Sequence, residues 1–126
     1  MKQIVNTTSA PAPIGPYNQA VLAGNFLFVS GQVAINPENG ELNMPNIEEE
    51  THQVMRNLKA VLLEAGLTFD NVVKSSIFLT DMGNFVEVNE IYGKYFTADF
   101  PARETVQVSC LPKNVNVEIS IIAVVG

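Results

Sequence analysis

Cysteine and histidine occur once each in the 126 residues, as Cys110 and His52. One cysteine excludes an internal disulfide and suits a reducing compartment, so the cytoplasm is the expected location. Two potential ligands far apart in sequence make no metal cluster. Basic residues are also scarce. Seven Lys and Arg stand against thirteen Asp and Glu, for a formal charge of −6. Nucleic-acid affinity rests on a basic face that releases counterions, so this balance argues against a general polyanion binder. No run is long and apolar enough for a membrane span, and no charged-then-apolar leader opens the chain. No Gly-rich phosphate loop or other cofactor motif is present, and no cofactor is expected. What remains is a chain that is 47% hydrophobic, enough for a real core, at a length that fits one domain over residues 1–126.

The charges are most informative near the end. Pro101 to Leu111 and Val115 to Val125 are two β-rich runs flanking a turn at Pro112 to Asn114, and they read as a hairpin. Alternation puts Arg103, Thr105 and Gln107 on one side of the first run, with Val106 and Val108 on the other. In the second run Val117, Ile119, Ile121 and Ala123 share a face, and Glu118 and Ser120 sit opposite. Arg103 and Glu118 are charges inside apolar strands, which calls for a partner or a function. Two readings follow: a structural salt bridge between them across the hairpin, or a reactive pair.

Upstream, Lys2 to Asn6 reads as a first strand, and Gln19 to Ala23 and Phe26 to Val33 as a hairpin across Gly24-Asn25. Phe26, Phe28, Ser30 and Gln32 would share a face, and Gly31 signals a bulge or a close backbone approach. Between the first two strands, three prolines and a glycine in Ser9 to Tyr17 impose an extended path, with Ile14 and Tyr17 to pack on something. The clearest helix runs from Asn46 to Gly66, with Asn46 as N-cap, Glu48, Glu49 and Glu50 at the positive end of its dipole, and a stripe through Val54, Leu58, Val61 and Leu62. His52 lies off that stripe and reads as solvated. Val72 to Thr80 reads as a strand. Asn84 is expected to cap a second helix with a Phe85, Val88, Ile91, Tyr92, Tyr95 stripe, and Asn89 lies beside it.

The predicted order is βββαβαββ: an α+β domain with two helices on one face of a six-stranded mixed sheet. The opposite face carries Phe78, Ile122 and Val124. Leaving such groups wet forgoes about 1.5–3 kcal/mol each, so an oligomer formed over that face is expected.

Pro101-Ala102-Arg103, Leu111 and Val117-Glu118-Ile119 together resemble the signature of the RidA/YjgF family of reactive intermediate deaminases. Ala12 to Tyr17, Phe28 to Gln32 and Asn89 also fall where that family has them, so the resemblance covers essentially the whole chain. It implies a chorismate-mutase-like fold and a homotrimer with pockets between subunits. It implies cofactor-independent hydrolysis of 2-imino acids and enamines, such as 2-aminoacrylate, to 2-keto acids and ammonia. Arg103 would clamp the substrate carboxylate in a bidentate fork. Glu118 would orient water or shuttle protons. The Thr105 backbone would hold the imine nitrogen or the attacking water, Tyr17 would form a wall, and Ser30 and Asn89 would supply polar contacts.

Two positions depart from the usual family pattern. Glu104 stands where a small residue is common, pointing away from the Arg103 side by alternation. Thr105 stands where many relatives have cysteine. Cys110 has no base near it in sequence and is not a substitute nucleophile. Within the same superfamily, the alternative is a regulatory protein that binds small carboxylates, or a ribonuclease acting as a translation inhibitor. The acidic charge weighs against the ribonuclease.

Overall fold

A computed structural model describes residues 1–126. Strands β1 (Lys2–Val5), β2 (Ala20–Ala23) and β3 (Phe26–Gln32) lead to helix α1 (Ile47–Glu64), strand β4 (Val72–Leu79) and helix α2 (Phe85–Gly93), then β5 (Ala102–Gln107) and β6 (Val117–Val124). The element order is the expected one. The strands form one mixed sheet, β1-β2-β3-β6-β4-β5, in which only β4 and β5 run parallel.

Helix α1 forms as its sequence dictates. Asn46 Oδ1 accepts the Glu49 amide at 2.8 Å, and Gly66 takes the left-handed conformation (φ +76°) that ends it. Its apolar stripe buries Val54, Leu58, Val61 and Leu62 against Leu27, Ile77, Ile119 and Ile121 of the sheet. Helix α2 starts differently from expectation. Asn84 makes no side-chain cap bond. The cap belongs to Asp81, which accepts the Gly83 amide and starts a short 3-10 turn that leads into the helix. His52 is not simply solvated either, since its Nδ1 lies 2.7 Å from the Tyr95 hydroxyl.

The terminal hairpin does not form. Strand β4 lies between β5 and β6, parallel to the first and antiparallel to the second. Burial explains the arrangement. In β6 every second residue is buried and the rest are half-buried, which suits the middle of a sheet. In β5, Arg103, Glu104 and Gln107 are exposed, which suits an edge.

The two helices cover one face of the sheet. On the other, Phe26, Phe28 and Val106 remain 45%, 46% and 42% exposed. Phe78 and Ile122 on that face are only half-buried.

Candidate functional site

Register sets the direction of Arg103. It lies opposite Ser75, whose Oγ accepts the Tyr92 hydroxyl at 2.8 Å, so both residues face α2. The guanidinium carbon sits 5.3 Å from the Tyr92 ring centre and 5.8 Å from that of Phe85, within cation–π range. One guanidinium N–H donates to Asn89 Oδ1 at 2.6 Å. Arg103 is thus fixed by two rings and an amide, at the mouth of a cleft of about 460 Å³ that Phe100 and Pro101 also line. Burial pushes the Tyr92 phenol above its usual range, against the pull of the Ser75 hydrogen bond and the Arg103 charge.

Thr105 lies one step along the same side of β5, opposite Ile77. Its Oγ1 is buried and has no hydrogen-bond partner in the chain. Folded proteins rarely keep such a group, because leaving it unmade costs about 1–3 kcal/mol. Glu104 points to the opposite face as expected, where it pairs with Lys74 Nζ at 3.0 Å and with the Ser76 hydroxyl.

The remaining predicted residues gather on the open face. Glu118 lies opposite Phe78 there, and burial raises its carboxyl above the usual range. Its side chain lies over Gly31, where a Cβ would come within 2.8 Å of Glu118 Cδ. Gly31 sits in the bulge where β3 and β6 shift register between Val29 and Gln32. That extra residue also turns Gln32 inward, where it is buried, so Gln32 does not share the Phe26–Phe28 side. Beside the bulge, Ser30, Tyr17, Phe28, Ser120 and Ile122 line a second concavity of about 510 Å³. The Ser30 hydroxyl donates to Asn18 O at 2.6 Å.

No Arg103–Glu118 bridge exists: the chain's ion pairs are Arg56–Glu49 and Lys74–Glu104. Arg103 and Glu118 lie two strands apart, roughly 10 Å at the usual strand spacing, and on opposite faces. The chain therefore brings Arg103, Asn89 and Thr105 to one face and Glu118, Ser30 and Tyr17 to the other.

Sequence reasoning missed four contributors. Tyr92 and Phe85 were read only as core stripe, yet they flank the guanidinium. Phe100 carried a signal, since it directly precedes Pro101-Ala102-Arg103. Glu50, read as a dipole residue, is fully buried. Its carboxylate accepts Asn116 N at 2.7 Å, Asn116 Nδ2 at 2.8 Å and Val117 N at 3.1 Å, which fixes the backbone just ahead of Glu118.

The family model described as Endoribonuclease L-PSP matches residues 7–125. A RutC family protein of Saccharolobus solfataricus is 50% identical over 123 residues, 98% of each chain. The 2-iminobutanoate/2-iminopropanoate deaminase of Mus musculus is 45% identical over 126 residues, 100% of this chain and 93% of that one. The crystal structure of the YjgF gene product from E. coli superposes with a TM-score of 0.92 at 42% identity, covering 97% of this chain and 98% of the other. With the six-stranded sheet, its two helices and the Arg103 site in place, these matches show that the chain belongs to the RidA/YjgF family, the group described as Endoribonuclease L-PSP.

Proposed function

We propose that this protein hydrolyses reactive 2-imino acids and their enamine tautomers, such as 2-aminoacrylate, 2-iminopropanoate and 2-iminobutanoate, to 2-keto acids and ammonia. The observation that carries the reading is Arg103. It is an exposed guanidinium without a carboxylate partner, held between Tyr92 and Phe85 and by Asn89, at the mouth of a cleft. A fixed fork of this kind binds a planar carboxylate through two parallel N–H bonds. That orientation sets the adjacent C=N carbon for attack.

Water adds through its oxygen to the imine carbon, the C–N bond breaks, and the two water protons leave with nitrogen as ammonia. Glu118 moves those protons. Its raised pKa brings it closer to neutral pH, where a carboxyl exchanges protons more readily. The Thr105 backbone holds the imine nitrogen or the water, and its unpartnered hydroxyl adds a polar group on the Arg103 side. Tyr17 is a wall of the pocket, with Ser30 and Asn89 as polar contacts. No cofactor or metal is needed for this chemistry.

Because the two residue groups occupy opposite faces, one chain does not assemble the pocket alone. A homotrimer in which the open face of one subunit meets the Arg103 edge of its neighbour would unite them. The exposed Phe26, Phe28 and Val106 support burial of that face. The lone exposed Cys110 suits the cytoplasm.

The test is ammonia release from imine generated in situ by an amino-acid oxidase or dehydratase. Tight binding of 2-oxobutanoate without turnover would instead favour a regulatory carboxylate binder, and RNA cleavage without imine hydrolysis would favour the ribonuclease.

A further inference from the structure

The segment that carries Tyr17 has almost no backbone support of its own. Between Ala10 and Pro16 no backbone N–H bonds to another backbone group. Pro11, Pro13 and Pro16 lack the donor altogether. Tyr17 N–H reaches only Gly15 O, at 2.8 Å.

Side chains compensate: the Tyr17 hydroxyl accepts the Ile14 amide at 3.4 Å, and Gln19 supplies the rest from a buried position. Gln19 is 1% exposed. Its Oε1 accepts the Thr7 amide at 2.6 Å. Its Nε2 donates to Pro11 O at 2.8 Å, Thr7 O at 3.0 Å and Ala10 O at 3.2 Å. The backbone of Gln19 is fixed on both sides as well, by Asn6 Oδ1 on its N–H at 2.9 Å and by the Ser30 amide on its carbonyl at 2.9 Å. The loop is therefore wound around a buried carboxamide two residues from the tyrosine, and the Gln19 backbone ties it to the strand that carries Ser30 and Gly31.

We propose that Gln19 is the positioning residue for Tyr17: its carboxamide holds the Thr7–Pro11 turn, and through it sets the tyrosine wall against Ser30 and Ile122. This rests on the deaminase reading only for its effect on turnover. The alternative is that Gln19 merely fills a polar hole in the fold, with no consequence for Tyr17.

A double-mutant cycle separates the two. Gln19→Met keeps side-chain length and removes the amide. Hydrogen exchange at the Thr7 amide should accelerate about tenfold or more, because local opening no longer breaks its bond to the Gln19 carboxamide. The kcat/KM for imine hydrolysis should fall about tenfold or more, chiefly through KM. Combined with Tyr17→Ala, Gln19→Met should add almost nothing to the loss from Tyr17→Ala alone.

Additive losses would overturn the proposal, as would unchanged exchange. Should Gln19→Met fail to fold, Gln19→Glu retains an acceptor for the Thr7 amide but loses the donors to Thr7, Ala10 and Pro11, and enters the kinetic cycle with Tyr17→Ala, where additive losses again overturn the proposal. The exchange arm needs no substrate. A loosened loop in a protein whose wild type shows no turnover would count against the deaminase reading and leave the loop clamp standing.

Discussion

Arg103→Lys tests the carboxylate clamp most directly. The substitution keeps the positive charge and an apolar stem. An ammonium can still donate to Asn89 and approach the Tyr92 and Phe85 rings, but it cannot present two parallel N–H groups to a planar carboxylate. The loss at the transition state is then one charge-assisted hydrogen bond, about 1.5–3 kcal/mol. At 1.36 kcal/mol per decade, kcat/KM should drop roughly 10- to 150-fold. Stability should barely move. Arg103 is exposed and makes no ion pair, so no buried charge is orphaned, and the change in unfolding free energy should stay within about 1 kcal/mol. The assay is ammonia or keto-acid formation from imine made in situ, run beside a thermal melt and a titration with 2-oxobutanoate. Keto-acid binding should weaken in step with kcat/KM. Wild-type imine hydrolysis by a folded Arg103→Lys protein would refute the clamp.

Four further outcomes are expected. Glu118→Gln should lower turnover by roughly 10²-fold or more, the range for a lost general acid–base group. Because burial raises the Glu118 pKa in the fold, the folded state holds its proton more tightly than the unfolded chain, so the ionised carboxyl lowers stability as pH rises through the window above the normal carboxylate range. Glu118→Gln should therefore melt above wild type at neutral pH, and the difference should vanish in acid; the opposite trend in paired melts would count against a desolvated Glu118. Gly31→Ala should displace the Glu118 carboxylate, since the new Cβ would come within 2.8 Å of Glu118 Cδ; turnover should fall while the fold persists, and a fully active variant would show that Glu118 placement is not critical. Light scattering should give a trimer, and a stable monomer at micromolar concentration would remove the shared pocket.

Much of the fold was legible because local signals agreed with each other. Asn46, the apolar stripe through Leu58 and Leu62, and Gly66 all specify the same helix. The Gly24 turn and the alternation of β2 and β3 specify the same hairpin. Pairing of β5 with β4 was not legible. Two adjacent β-rich runs joined by a short turn have the same local pattern whether or not they bond, and only competition for the central position separates them. That competition also decides the Arg103–Glu118 question, since it puts the two residues on different faces. The motifs singled out the candidate site residues, but not the neighbours that hold them. Tyr92 and Phe85 look like ordinary core residues until register places Arg103 between them. Glu50 looks like a solvated helix charge until β6 arrives across its carboxylate. The bulge at Gly31 could be anticipated, but its effect on Gln32 depended on the partner strand.

The position of β6 has a consequence for how the molecule comes into being. This strand is sixth in sequence but third from one end of the sheet, bonded to β3 on one side and β4 on the other. Until it inserts, β3 and β4 each show a bare edge, and the core-facing Leu27 and Ile77 lack their β6 neighbours, Ala123 and Ile119. The Glu50 carboxylate, already on its helix, likewise awaits amides 66 and 67 residues away in the chain. Closure is thus a late, long-range step in which the loop cost is met before the contacts repay it, and this slows folding. An intermediate arrested at that stage would present two hydrogen-bonding edges to other chains. The same insertion delivers Glu118 beside Gly31, so the proposed proton-handling half of the pocket would not exist in any partly folded form.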